Sequence, residues 1–183
     1  MYAGYQIFTG EIHMLIRREN ESDYEKVYDV VKASFESAEY ADGNEQELVN
    51  ALRNGDSYIP ELSLVAEEEG NIVGYIMFTK AWVGEMPVLA LAPLSVIPEC
   101  QRKEIGSALI KEGHRVAACL GFSHSVVLGN ENYYSRFGYV PADIFGIQAP
   151  FDVPREKFMA YKLKKDAPEV CGAMRYAREF GIT

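Results

Sequence analysis

Cysteine is scarce in this 183-residue chain: Cys100, Cys119 and Cys171 stand far apart, with no CxxC pair. An odd, scattered set offers no disulfide framework and fits a reducing cytoplasm. Histidine is equally sparse. His13, His114 and His124 do not meet the cysteines at metal-ligand spacing, so no zinc or other metal is expected. No apolar run approaches the ~20 residues that cross a bilayer. Met1 to His13 also lacks the basic-then-apolar order of a secretory signal. Positive charge is in deficit, at net −9, whereas a nucleic-acid binder presents a basic face. Membrane and nucleic acid are thus excluded as expected partners.

What is present suits one globular domain: 48% apolar and 25% charged residues. Met14 opens a strand pattern, so residues 1–13 read as a leader, tag or mis-assigned start. The domain is expected over 14–166, with 167–183 an extension packed on it. Ser22 and Glu25 have capping-box spacing, and Tyr24, Val27, Tyr28, Val31 and Phe35 follow on one helical face. Asn44 and Glu47 open a shorter helix that Gly55 stops. Leu62 to Glu67 and Ile72 to Phe78 form a hairpin around Glu69-Gly70-Asn71, where Gly and Asn tolerate positive φ. Val88 to Val96 is a further strand with Pro93 inside it. Proline cannot donate to a ladder, so this strand is an edge, bulged or splayed there. Ile105 to Leu120 has helical spacing, with Gly121 as C-cap. A strand over Ser125 to Leu128, a brief helix over Tyr133 to Phe137 closed by Gly138, and strands near 144–149 and 157–163 complete the order. The expected class is mixed α/β, one sheet with helices on both faces.

From Arg102 to Arg115 four basic residues (Arg102, Lys103, Lys111, Arg115) outnumber Glu104 and Glu112. A basic spot on an acidic protein points to a phosphate-bearing small molecule. Within Leu94 to Leu109 a strand leads through a polar loop to a helix that starts at about Ile105. Unpaired N–H groups and the macrodipole make such a helix start a phosphate site. Small residues at Gly106, Ser107 and Ala108 let a ligand approach the backbone.

This stretch resembles the acetyl-CoA signature of the GNAT N-acetyltransferase superfamily, Q/R-x-x-G-x-G/A, here Gln101, Arg102, Lys103, Glu104, Ile105 and Gly106. The run LGNENYYSRFGYVPA and the closing CGAMRYAREFG are similar to the branch typified by YhbS. The resemblance spans roughly Leu15 to Ile182. It implies a mostly antiparallel sheet of about seven strands. It also implies acetyl-CoA as co-substrate, a small amine or peptide as acceptor, and a cytoplasmic protein, with a homodimer left open. Leu94, Ser95 and Val96 would pair with pantetheine, and Arg102 to Ser107 would hold the pyrophosphate. Asn132 is assigned to the cofactor as well. In the family's Y-x-x-x-G-[FY] segment, Tyr134 takes the place of the general acid that protonates the departing thiolate, with Tyr133 the lesser candidate.

Two departures stand out. Glu104 replaces the signature's first glycine, and Val88 to Val96 lacks the acidic residue that often serves as base. Glu67, Glu68 and Glu85 are nearby acids that read as surface charge. The alternative these departures keep is a non-catalytic acyl-CoA-binding or regulatory module. Plainer readings stand beside the rest: Tyr134 as a packing aromatic, Cys100 as a loop filler, His114 as surface or satisfied core. The acidic stretch Glu36, Glu39, Asp42, Glu45 and Glu47 either attracts a cationic amine or is a solvated face.

Overall fold

Alternating apolar residues build the sheet, and each face receives its own helices. The computed structural model describes residues 5–9, 12–36 and 43–182, with side chains from Met14 onward. Its strands are β1 (Tyr5–Thr9), β2 (Ile12–Arg18), β3 (Ser63–Glu68), β4 (Asn71–Val83), β5 (Met86–Val96), β6 (His124–Leu128), β7 (Val140–Pro141), β8 (Ile147–Gln148), β9 (Phe158–Lys162) and β10 (Gly172–Arg175). The helices are α1 (Tyr24–Phe35), α2 (Glu45–Arg53), α3 (Ile105–Cys119) and the short α4 (Glu131–Tyr134). The main path runs β1-β2-β3-β4-β5-β6-β9-β7, with β10 on β4 and β8. Pairing is antiparallel except for β5 with β6 and β8 with β10. The strands beyond the expected seven are β1, β7 and β10.

The period of two decides what each face carries. Leu64, Ile76, Phe78 and Leu91 pack under Ile105, Leu109 and Val116 of α3. Val65, Tyr75 and Met77 point the other way, against Val27 and Val31 of α1 and Val49 and Leu52 of α2. A third cluster joins Val88, Val126 and Phe158 to Met174 of β10. The tail therefore contributes core rather than trailing over the surface. Near 144–149 only β8 is extended, because Ala142–Phe145 winds into a 3-10 turn ended by Gly146 at φ 78°.

Two local expectations change. Asn20, not Ser22, caps the first helical turn. Its side chain accepts the Ser22 N–H at 3.0 Å, and Asp23 accepts the Asn20 N–H at 2.9 Å. The Ser22 hydroxyl is itself bonded to Asn20, so it is not available as the cap. In the β3–β4 hairpin the positive φ values fall on Glu69 (50°) and Gly70 (82°), while Asn71 already belongs to β4.

A buried charge ties the layers together where β2 ends. Glu19 accepts from Arg53 Nε and Nη2 at 3.1 and 2.7 Å, from Tyr58 at 3.0 Å, from Tyr75 at 3.2 Å and from Ser63. These partners come from α2, the loop after it, β3 and β4. A carboxylate withdrawn from water needs such a set, and loss of one charged partner of a buried pair typically costs about 3–5 kcal/mol.

Candidate functional site

The site begins with Pro93, which follows a cis Ala92–Pro93 bond in β5. Ile76 of β4 faces Leu94 and Phe78 faces Leu91, so Ala92 and Pro93 together stand opposite Met77 alone. That is a bulge at a residue without an N–H. Of the three expected alternatives (edge, bulged or splayed), the strand is interior, bulged toward β4 and splayed from β6. Parallel pairing with β6 covers only Leu89 with Ser125 and Ala90 with Val126. Beyond that point the strands part, and a cavity of about 700 Å³ is lined by Leu91–Leu94 on one side and Val127–Asn130 on the other. Phe35, Glu45 and Leu48 close it from the α1–α2 side, and no α3 residue lines it.

Beyond β5 the chain turns into the start of α3, where Gly106 lies close to Leu94. Gln101, Arg102, Lys103 and Glu104 are exposed, whereas Ile105, Gly106 and Ser107 are buried. Arg102 and Glu104 both hold left-handed backbone, at φ 61° and 64°. The first helical bond runs from the Ala108 N–H to the Glu104 carbonyl at 2.9 Å, so the N–H groups of Ile105 to Ser107 precede the ladder. Gln101 Nε2 donates to the Val96 carbonyl at 3.1 Å and ties the loop to the strand. Leu94 and Val96 pack toward the α3 side, while buried Ser95, on the alternate position, faces away from it. The basic set divides. Arg102 and Lys103 stay at the helix mouth, but Arg115 lies about 15 Å along the axis and forks onto Glu112 at 2.8 Å.

The two adjacent tyrosines take different places. Asn130 caps α4, accepting the N–H groups of Asn132 (2.9 Å) and Tyr133 (3.2 Å). Asn132 is left exposed beside them. Tyr134 lines the cavity, its ring lying where a side chain at Gly129 would be. The Tyr133 hydroxyl instead lies against Gly106, 2.5 Å from where a Cβ would stand. A side chain at 106 would therefore displace the Tyr133 hydroxyl.

Residues 24–139 match the profile of the "Acetyltransferase (GNAT) family". The chain belongs to the GNAT family of acetyltransferases. It is 38% identical over 149 residues to the uncharacterised N-acetyltransferase YjhQ of Escherichia coli K12, covering 79% of this chain and 80% of that one. A GNAT acetyltransferase from Brucella melitensis, solved with acetyl-CoA, is 32% identical with a TM-score of 0.76. The match covers 92% of this chain and 98% of that one. YhbS of Escherichia coli, solved with CoA, superposes at a TM-score of 0.85 with 27% identity over 96% of each chain.

Burial holds the Tyr134 phenol well above its ordinary pKa, so it stays protonated through neutral pH. Tyr133 is raised as well, chiefly by burial and against the pull of Arg136, whose guanidinium lies 4.7 Å over its ring. Tyr134 is held edge-on by Tyr139, with ring centroids 5.5 Å apart. Tyr139 in turn bonds His114 Nε2 at 2.9 Å and Ser125 Oγ at 2.7 Å. His114 stacks on Tyr161 at 4.4 Å, so it is a satisfied core residue. Among the other sequence candidates, Glu67 is paired with Arg17 at 2.9 Å and Glu85 is exposed, and neither lines the cavity. Glu39 and Asp42 lie outside the described residues, while Glu45 of the same stretch does line it. Sequence reasoning missed Asn130 and Glu131. The N-cap preference for Asn ahead of a short helix was the available signal. Among the described residues no group of three or more His, Cys, Asp or Glu side chains could hold a metal. No helix among them is long and apolar enough to cross a membrane.

Burial lowers the His114 pKa from 6.5 to about 4. Between these values the unfolded chain binds a proton that the folded protein refuses, so stability falls as pH drops through that window. One such group contributes at most about 3 kcal/mol, and partial solvent access reduces this to about 1–2. His114→Gln is expected to flatten the loss of stability between pH 6.5 and 4 in urea melts. Parallel curves for the two proteins would contradict this.

Proposed function

We propose that the protein transfers an acetyl group from acetyl-CoA directly to an amine, with Tyr134 as general acid. One observation carries the reading: β5 and β6 part beside Pro93 and leave a cavity that Tyr134 lines, while the neighbouring Tyr133 reaches Gly106 at the start of α3. The free N–H groups of Ile105 to Ser107 and the cations Arg102 and Lys103 fit a pyrophosphate. The β5 backbone at Leu94 to Val96 fits pantetheine and supplies an N–H to the oxyanion. Gln101 braces the loop, and exposed Asn132 directly follows the lining residue Glu131. The solved relatives with acetyl-CoA and CoA support the donor.

In the reaction the amine nitrogen attacks the thioester carbonyl. The C–N bond forms, the C–S bond breaks, the thiolate takes the Tyr134 proton, the amine's surplus proton leaves to water, and water returns a proton to the Tyr134 phenolate. A high phenol pKa keeps the donor loaded but reduces its driving force toward a thiolate with a reference pKa of about 8.5. Proximity must therefore supply much of the effect. A cavity on the α1–α2 side, clear of α3, offers room for an acceptor and favours turnover over a purely binding role.

Tyr134→Phe is expected to lower kcat by roughly 10²–10⁴-fold with little change in the KM for acetyl-CoA. Tyr133→Phe, whose hydroxyl lies at Gly106, should cost much less. Thiol-release kinetics on both variants decide it, and the reverse ranking would move the acid role to Tyr133. At position 104 the carboxylate adds negative charge beside the proposed pyrophosphate site, open to solvent and screened by salt. Glu104→Gly is expected to tighten acetyl-CoA binding by roughly 2- to 5-fold at low salt. Stability should change by less than about 1 kcal/mol, because relief of the positive φ is offset by glycine's greater chain entropy. Calorimetry at two ionic strengths tests this, and weaker binding by the glycine variant would give Glu104 a favourable role instead.

A further inference from the structure

The lining of the cavity says which amine it takes. Tyr134 and Phe35 stand on two sides, and a third wall comes from Phe151, Tyr176 and Phe180. In that wall Phe151 stacks on Tyr176 (centroids 6.2 Å, 28°), and Tyr176 meets Phe180 edge-on at 5.1 Å. β10, which precedes Tyr176, pairs with Trp82 and Val83 of β4, so the wall is anchored to the sheet. Leu48, Leu91 and Val127 fill much of the remainder. The charged lining residues are Glu45, Glu131 and Lys157, an excess of one carboxylate. A volume of about 700 Å³ suits a drug-sized molecule.

This lining does not suit a polycation. Several ammonium groups would have to leave water against rings and aliphatic chains, and an unpaired charge moved there is costly. It suits one ammonium and one apolar arm. An aromatic arm gains most, because it can stack on the wall while the amine end reaches the parted strands beside Tyr134. We infer that the acceptor is a primary amine bearing a single aromatic or branched apolar arm, with the Phe151–Tyr176–Phe180 wall holding the arm and Glu45 attracting the ammonium. This rests on the acetyl-transfer reading and narrows its acceptor.

The test uses the full chain with acetyl-CoA and two amine probes, 2-phenylethylamine and spermidine, followed by thiol release and mass analysis of the acetylated amine. The expected result is a kcat/KM at least about 10-fold higher for 2-phenylethylamine. Phe180→Ala should then reduce kcat/KM for 2-phenylethylamine by about tenfold more than for spermidine. Equal or better use of spermidine by the unmodified protein would overturn the inference while leaving acetyl transfer in place, and that comparison needs no variant. A preference for hexanoyl-CoA over acetyl-CoA would also overturn it, by giving the cavity to the acyl chain. Calorimetry with acetyl-CoA separates the remaining case: absence of binding would bring down the acetyl-transfer reading and this inference together.

Discussion

Everything at the site follows from the parting of β5 and β6. A ladder that continued past Ala90 would bring Leu91–Leu94 against Val127–Leu128 and leave no cavity between them. Pro93 prevents this within β5 itself. It offers no N–H, and with Ala92 it forms a bulge toward β4. The strand remains fastened on its other side, where Leu94, Ser95 and Val96 pair with Ile76, Tyr75 and Gly74. The gap is therefore a feature of a packed sheet.

Rigidity on the flanks comes from polar groups withdrawn from water. Glu19, 4% exposed, gathers Arg53, Tyr58, Ser63 and Tyr75 on the α1–α2 side. Tyr139 gathers His114 and Ser125 beneath Tyr134. Each hub has its hydrogen bonds satisfied by residues from separate elements, so each fixes the relative placement of those elements. Tyr134 is thereby oriented by Tyr139 and Gly129 from behind while one face lines the cavity.

Much of this was legible from residue patterns. The helix faces of α1 and α3, the β3–β4 hairpin, the short helix before Gly138 and the irregularity at Pro93 all follow from local periodicity and turn chemistry. The segment from Gln101 to Ser107 announced a helix start, and the left-handed backbone at Glu104 explains why the family's usual residue there is glycine. Longer-range features were not legible. Glu19 reads as one more surface acid until Arg53, Tyr58 and Tyr75 are brought around it. Tyr133 and Tyr134 are indistinguishable as neighbours in sequence, and only the turn of α4 sends one to Gly106 and the other into the cavity. The aromatic wall joins Phe151 to Tyr176 and Phe180 through a tail whose pairing with β4 no local pattern foretells.

The account depends on acetyl-CoA occupying the opening between the start of α3 and the parted strands. Thermal unfolding of the full chain with and without acetyl-CoA measures this directly, with ATP and NAD as phosphate-bearing controls. At 100 times Kd the ligand contributes about 2.7 kcal/mol, which raises Tm by several degrees in a domain of this size. The account predicts that rise for acetyl-CoA alone. An unchanged Tm at millimolar acetyl-CoA, or an equal rise with ATP, would contradict it.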